Sequence, residues 1–243
     1  MNSIPHQIAV WFTTGSSYTG SPDGALPLLV QHIWISALSL VVAAAVAIPA
    51  GLLLSRLRRG GVFVTSLANA ARAIPILGVL ILLAIGSLGV GTTTAVVALV
   101  VFAIPPMLTN TFTGVRSVDP DARRAAEGIG MSARQVVLRV ELPLAIPLIA
   151  TGVRLAAVQV WATATIAAIV GSGGLGQLIT TGYARHDFGE VYGGVVFVVV
   201  TALLLDAALG VLQSALRARY GDHAAARGGR RRRARPVASN AVA

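Results

Sequence analysis

Ionisable side chains are scarce here, and three of them, Arg72, Arg154 and Asp206, stand inside long apolar stretches. Each lies about ten residues, or roughly 15 Å, in from the Arg-flanked end of its stretch at 1.5 Å per residue, so all three share one depth. A charge at that depth is costly unless it is paired or wet. Asp206 is therefore expected to pair with Arg154 or with Arg72. On the other reading each Arg extends to the boundary and Asp206 faces a wet cavity. An acid in such a place also suits proton relay, the chemistry of an ion-coupled secondary transporter. The remaining reactive residues offer less. His6, His32, His186 and His223 are far apart and have no metal-ligand spacing, so no metal site is expected. With no Cys there is no disulfide, thiolate site or Cys nucleophile. All 19 basic residues are Arg, which rules out the Lys of a GxxxxGK[ST] phosphate loop. If ATP drives this protein, another chain binds it. No convergent set of His, Cys and carboxylates suggests catalysis, so the chain is expected not to be an enzyme.

The elements that hold these groups belong in a lipid bilayer. Of 243 residues 55% are hydrophobic and 12% charged, with a mean hydropathy of +0.78, far from the balance of a soluble domain. A membrane crossing needs roughly 20 apolar residues. Runs of that kind fall at about 33–54, 62–85, 94–112, 144–170 and 191–216, which predicts an all-α membrane protein of about five transmembrane helices. Pro49 should bend the first, and Arg72 and Pro75 interrupt the second.

Arginine placement sets the orientation, because cytoplasmic loops retain positive charge. Arg56, Arg58 and Arg59 follow the first run; Arg116, Arg123, Arg124, Arg134 and Arg139 follow the third; eight Arg from Arg217 onward follow the fifth. The alternate loops hold only Arg185. The N-terminus is thus expected outside and the C-terminus in the cytoplasm. Residues 1–25 form an external tail without a basic residue, 26–216 the transmembrane unit, and 217–243 a basic, disordered cytoplasmic tail. The external tail is expected to be unstructured, the other possibility being a helical face of Ile4, Ile8, Trp11 and Phe12 laid on the membrane surface. The basic tail either stays solvated and fixes topology or is drawn to an anionic leaflet. Since topology accounts for most of the Arg behind a pI of 11.6, no nucleic-acid binding is expected.

Residues 116–143, RSVDPDARRAAEGIGMSARQVVLRVELP, are long for a connection between bundle helices. A turn at Pro120, a short helix from Ala122 to Ile129 ended by Gly130, and a second from Ser132 to Val140 with Ser132 as its N-cap are expected. Two short helices joined at a glycine make a knob that a partner can grasp; alternatively the stretch is a solvated connection.

RAAEGIGMSARQVVLRVELPLAIP resembles the signature loop of type I ABC-importer permeases. That signature is Glu-Ala-Ala, a Gly four residues later, and Leu-Pro twelve beyond it, matched by Arg124-Ala125-Ala126, Gly130 and Leu142-Pro143. Arg124 stands where the family has Glu, so the ion pair of that Glu is lost unless Glu127, one turn on, replaces it. The resemblance implies that Ala125 to Gly130 sits in a groove of a partner ABC ATPase, which binds the ATP and Mg. It also implies a second permease chain, identical or paralogous, and an extracytoplasmic substrate-binding protein. The location implied is the bacterial inner membrane. GVRLAAVQVWATATIAAIVGSGGLGQL at 152–178 resembles the osmoprotectant branch, which imports glycine betaine, carnitine, choline or proline. Aromatic faces suit a quaternary ammonium group, making Trp161 the candidate for the substrate path, while Trp34 and Tyr192 equally suit interfacial anchoring. The glycine-rich 171–176 has no preceding strand and is read as a tight re-entrant turn or a binding-protein contact.

Overall fold

A computed structural model describes residues 3–14 and 23–233, with side chains through residue 220 except that of residue 72. Among these residues every regular element is helical. The first long helix, α2 (Ala25–Leu54), follows the short α1 (Ile4–Thr13) and begins about eight residues before the expected start of the first span. The added turns carry the polar Gln31 and His32. Both are satisfied by the glycine-rich turn at 171–176, where Gln31 accepts from the Gly174 N–H (3.1 Å) and donates to the Ser172 carbonyl (3.2 Å). The Leu175 N–H donates to His32 Nδ1 (3.3 Å), so Nε2 carries the proton and meets the Trp161 carbonyl at 3.1 Å. Gly171, Gly173 and Gly174 all have φ between 72° and 76°, which only glycine adopts readily.

The expected second span is two helices, α3 (Gly60–Ala73) and α4 (Ile76–Ile85), bent by 81°. Ile74 is extended (φ −86°, ψ 121°), as the residue before a proline prefers, and Pro75 supplies no N–H. Among the described residues four helices are long and apolar enough to cross a membrane, or five if this bent pair is one span. The others are α5 (Thr92–Arg116), the assembly ending in α8 (Leu142–Ala167), and α10 (Phe188–Arg233). Between them lie α6 (Pro120–Gly128), α7 (Ala133–Val136) and α9 (Gly176–Ala184). A helix at α9 was not expected.

α5 lies between α2 and α8. Lipid offers no hydrophobic drive between helices, so close packing depends on small residues. Ala43, Ala47, Ala103, Ala156 and Ala164 fill this core with Ile35, Leu99 and Met107. Glycines set the closest approaches. A Cβ on Gly152 would stand 2.7 Å from Asn110 Cβ and 3.0 Å from the Pro106 carbonyl oxygen, and one on Gly114 3.1 Å from Leu148 Cβ.

α10 packs on α8 through a polar contact within the bilayer. Asp206 accepts two hydrogen bonds from Arg154, Nε to Oδ1 and Nη2 to Oδ2, each 2.8 Å. Gln213 extends the set, accepting from Arg154 Nη1 (3.1 Å) and donating to Thr151 Oγ1 (2.6 Å). Gly210 faces the guanidinium and leaves room for it. The opposite face of α10, with Val199, Val200, Leu203, Leu204 and Val211, is exposed, as a lipid-facing surface should be.

Two expectations about the ends need correction. Residues 4–13 form a helix rather than an unstructured tail: α1 buries Trp11 against Gly193 of α10, with the Phe12 ring edge-on to Trp11 at 5.0 Å. Ile8 and Trp11 gain packed area that a loose tail forgoes. At the other end α10 continues from 216 to Arg233, where a disordered tail was expected from 217. Ala and Arg are strong helix formers, and extending an existing helix requires no new nucleus. Residues 234–243 lie outside the described region.

Replacing Gly152 by Val should separate α5 from α8 and cost about 1–3 kcal/mol, whereas Gly128→Ala, with nothing within 4 Å of the new methyl, should gain about 0.5–1 kcal/mol. Thermal melts of purified protein distinguish these signs. By the same measurement Asp206→Asn, which leaves Arg154 without its carboxylate, should lower the melting temperature, and Arg154→Met with Asp206→Leu should recover most of the loss.

Candidate functional site

The stretch 116–143 begins where α5 ends. Asp119 caps α6 by accepting from the Asp121 N–H at 2.8 Å, and Pro120 occupies the first turn, where its missing N–H is no loss. The helix thus starts two residues before the expected Ala122. It closes with the Gly130 N–H on the Glu127 carbonyl (2.9 Å) and the Met131 N–H on that of Ala126 (3.1 Å), Gly130 adopting φ 84°. Ser132 then caps the next helix in a capping box with Gln135: the Ser132 N–H donates to Gln135 Oε1 (2.8 Å) and the Gln135 N–H to Ser132 Oγ (3.4 Å).

That next helix is not free-standing. α7 passes into a π-turn (Val137–Glu141), in which the Leu142 N–H reaches back to the Val137 carbonyl, and then directly into α8. Pro143 lacks the N–H that the ordinary register would place on the Arg139 carbonyl, so the wider turn forms immediately before it. The expected second helix is therefore the root of a membrane span.

The end of α6 and the turn after it are presented outward. Arg124, Ala125, Glu127, Ile129 and Gly130 are exposed, Ile129 by 76%, while Ala126 is buried against the bundle. Arg124 pairs with Asp121 in its own helix, and that hydrogen bond pushes its pKa up. Glu127 is exposed beside it. Leu142 and Pro143 are half-buried. The exposed side chains of Ala125 and Ile129 thus form a small apolar patch beside the charges of Arg124 and Glu127.

The strongest feature here is one that the sequence reading passed over. Glu141 is fully buried (0% exposed) and carries two ion pairs, with Arg56 from the turn after α2 and with Arg123 of α6, whose Nε stands 2.8 Å from Glu141 Oε1. Arg123 also donates to the Val115 carbonyl at the end of α5. Arg116 donates to the Ser55 carbonyl (3.4 Å) and lies 5.9 Å from the centre of the Phe112 ring. One carboxylate therefore joins the end of α2, the presented helix α6 and the root of α8. These Arg residues had been counted only as topology markers. A Glu preceding Leu-Pro was visible in the sequence, but its partners stand 85 and 18 residues away and nothing local reveals its burial.

The other predicted positions fall apart from this set. Arg154 and Asp206 lie together where α10 packs on α8, both partly exposed, while Arg72 belongs to α3 and its side chain is outside the described part. Trp161 is not on an open face. It is 5% exposed, packed with Trp11, Leu28 and Leu175, and its ring meets that of His32 edge-on at 4.5 Å. The helix face that carries it turns inward because α1, α2 and α9 cover it. Among the described residues no group of His, Cys, Asp and Glu could hold a metal ion.

Comparison with known proteins agrees with this architecture. The carnitine transport permease protein OpuCB of Listeria monocytogenes is 39% identical over 183 residues, 75% of this chain and 84% of its own. OpuCD of the same species, also a carnitine transport permease protein, is 33% identical over 211 residues, 86% of this chain and 92% of its own. The glycine betaine/carnitine/choline transport system permease protein OpuCB of Bacillus subtilis is 35% identical, covering 75% and 84%. A structure of the MetNI methionine ABC transporter, facing inward, matches the fold with a TM-score of 0.68 at 21% identity, over 79% of this chain and 95% of the matched one. The profile described as the inner membrane component of binding-protein-dependent transport systems matches residues 43–222. The chain belongs to that family of inner-membrane transport permeases.

Proposed function

We propose that this chain is the permease subunit of an ABC importer that brings an osmoprotectant, glycine betaine, carnitine, choline or proline, into the cell. The relatives named for such transport cover most of the chain. A partner ATPase binds the ATP and Mg and does the hydrolysis; this chain is not itself an enzyme. The Arg-rich end, with the turn at 55–59 and the loop 116–143, faces the cytoplasm, and the N-terminus lies outside.

The observation that carries the mechanism is the burial of Glu141 between Arg56 and Arg123. α6 offers Ala125 to Gly130 to the ATPase, and the ion pairs make α6 continuous with α2 and α8. A push on α6 then moves two spans together, turning closure of the ATPases into reorientation of the permease. A pathway of this kind is formed by two permease chains. That OpuCB and OpuCD occur together in one species favours a paralogous partner. An extracytoplasmic binding protein would deliver substrate at the opposite end. The ion-coupled alternative is not favoured, because Asp206 is already engaged twice by Arg154 and is poorly placed to relay protons.

In vesicles containing the whole complex, deleting Ala122 to Ser132 should abolish ATP-driven uptake while the ATPase subunits still hydrolyse ATP; undiminished coupling would contradict the docking role. Glu141→Ala should reduce uptake per ATP hydrolysed by about tenfold, within the range of coupling between two sites. Parallel uptake and phosphate-release assays measure both.

A further inference from the structure

Part-way along α5 the adjacent Pro105 and Pro106 disturb the helical ladder. Pro106 has no N–H, so the Phe102 carbonyl four residues earlier loses its partner. Gln159 of α8 answers it, its Nε2 donating at 3.4 Å. One turn later the Asn110 Nδ2 donates to the Pro106 carbonyl at 2.8 Å. Each amide thus commits one N–H of its NH2 group and keeps its carbonyl oxygen as an acceptor. Between them Thr109 Oγ1 is buried with no hydrogen-bond partner. Phe102, Thr109, Asn110, Leu155 and Gln159 line a groove of about 310 Å³ that α3 borders with Ala68 and Ala71.

The groove lies between the ends of two membrane spans, yet its lining combines amides and a hydroxyl with apolar groups, and Gln159 is exposed. Polar groups turned toward hydrocarbon would be costly, so this face meets water or another polar surface. α10 differs: its exposed face is an unbroken apolar surface of Val and Leu. The groove's volume is at the small end of ligand clefts, about 300–1,000 Å³. Among the described side chains, none that lines it is charged.

We propose that this groove is the chain's wall of the substrate path, a shallow uncharged site for a small quaternary-ammonium or zwitterionic solute; the proposal rests on the importer reading above. The cationic head lies against the Phe102 ring and the amide oxygens of Asn110 and Gln159, and the Thr109 hydroxyl donates to a carboxylate when one is present. Without a formal charge, the site favours entry but does not trap the solute, as conduction requires. Pro105 and Pro106 create it by opening the α5 ladder where α8 crosses.

The chain has no Cys, so a single introduced thiol reports unambiguously. In vesicles containing the full complex, Gln159→Cys should react with a charged methanethiosulfonate about tenfold faster than Leu204→Cys on the lipid face, as water access requires, and glycine betaine should slow it. Asn110→Cys gives the same readout should Gln159→Cys fail to assemble. Gln159→Glu should raise the choline-to-glycine betaine uptake ratio about fivefold by adding a negative charge to the path. Equal thiol reactivity, no protection, or an unchanged uptake ratio overturns the groove as a substrate path. The unaltered complex distinguishes the two readings: if it imports neither solute, the osmoprotectant reading fails; if it imports them and the thiol is neither reactive nor protected, only the groove proposal falls.

Discussion

A buried carboxylate held by two guanidinium groups is the constraint on which the Arg-rich end of this molecule depends. Glu141 has no exposed surface, while Arg56 and Arg123 reach it from different elements and keep part of their own side chains in solvent. Removing one partner of such a set leaves a charge out of water without compensation, which is far worse than never burying it. The ends of α2, α5, α6 and α8 are therefore held in one arrangement. The π-turn before Pro143 belongs to the same device, since it sets the register in which Glu141 leaves the loop and enters the bundle.

This arrangement separates two duties within one short stretch. Ala126 and Arg123 face the bundle and fasten α6; Ala125, Ile129 and the charged rim around them remain available to a partner. The presented helix can then be rigid without being occupied. Arg124, in the position where the resembled signature has Glu, is turned to Asp121 on its own helix, so the proposed docking rests on shape and on neighbouring groups such as Glu127. Within the bilayer the logic is similar. Arg154, Asp206 and Gln213 satisfy one another, while small residues let α5 approach α2 and α8.

Features governed by local chemistry were readable from the sequence. The lengths of the apolar runs located the spans, the proline at 75 broke the second of them, and Ser132 and the glycine at 130 gave the loop its caps. Equal depth placed Arg154 and Asp206 on one level, where they meet. What was missed depends on distant partners. The first span starts before its apolar run because the turn that satisfies Gln31 and His32 lies about 140 residues away. Glu141 looked like one more loop charge for the same reason. Trp161 was a reasonable aromatic candidate until α1, which the sequence had left unstructured, was seen to complete its enclosure. The proline pair of α5 and the amides near it were visible, but only packing shows that they share one groove.

The central claim is that α6 moves as one body with α8 because Glu141 fastens them. Spin labels at Gly128→Cys and Ile166→Cys in the otherwise cysteine-free chain, within the assembled complex, test it directly by pulsed dipolar spectroscopy with and without trapped nucleotide. The account predicts an unchanged distance within the chain across the ATPase cycle, while the Gly128-to-Gly128 or equivalent distance between the two permeases shifts. A nucleotide-dependent change in the distance within the chain would contradict it.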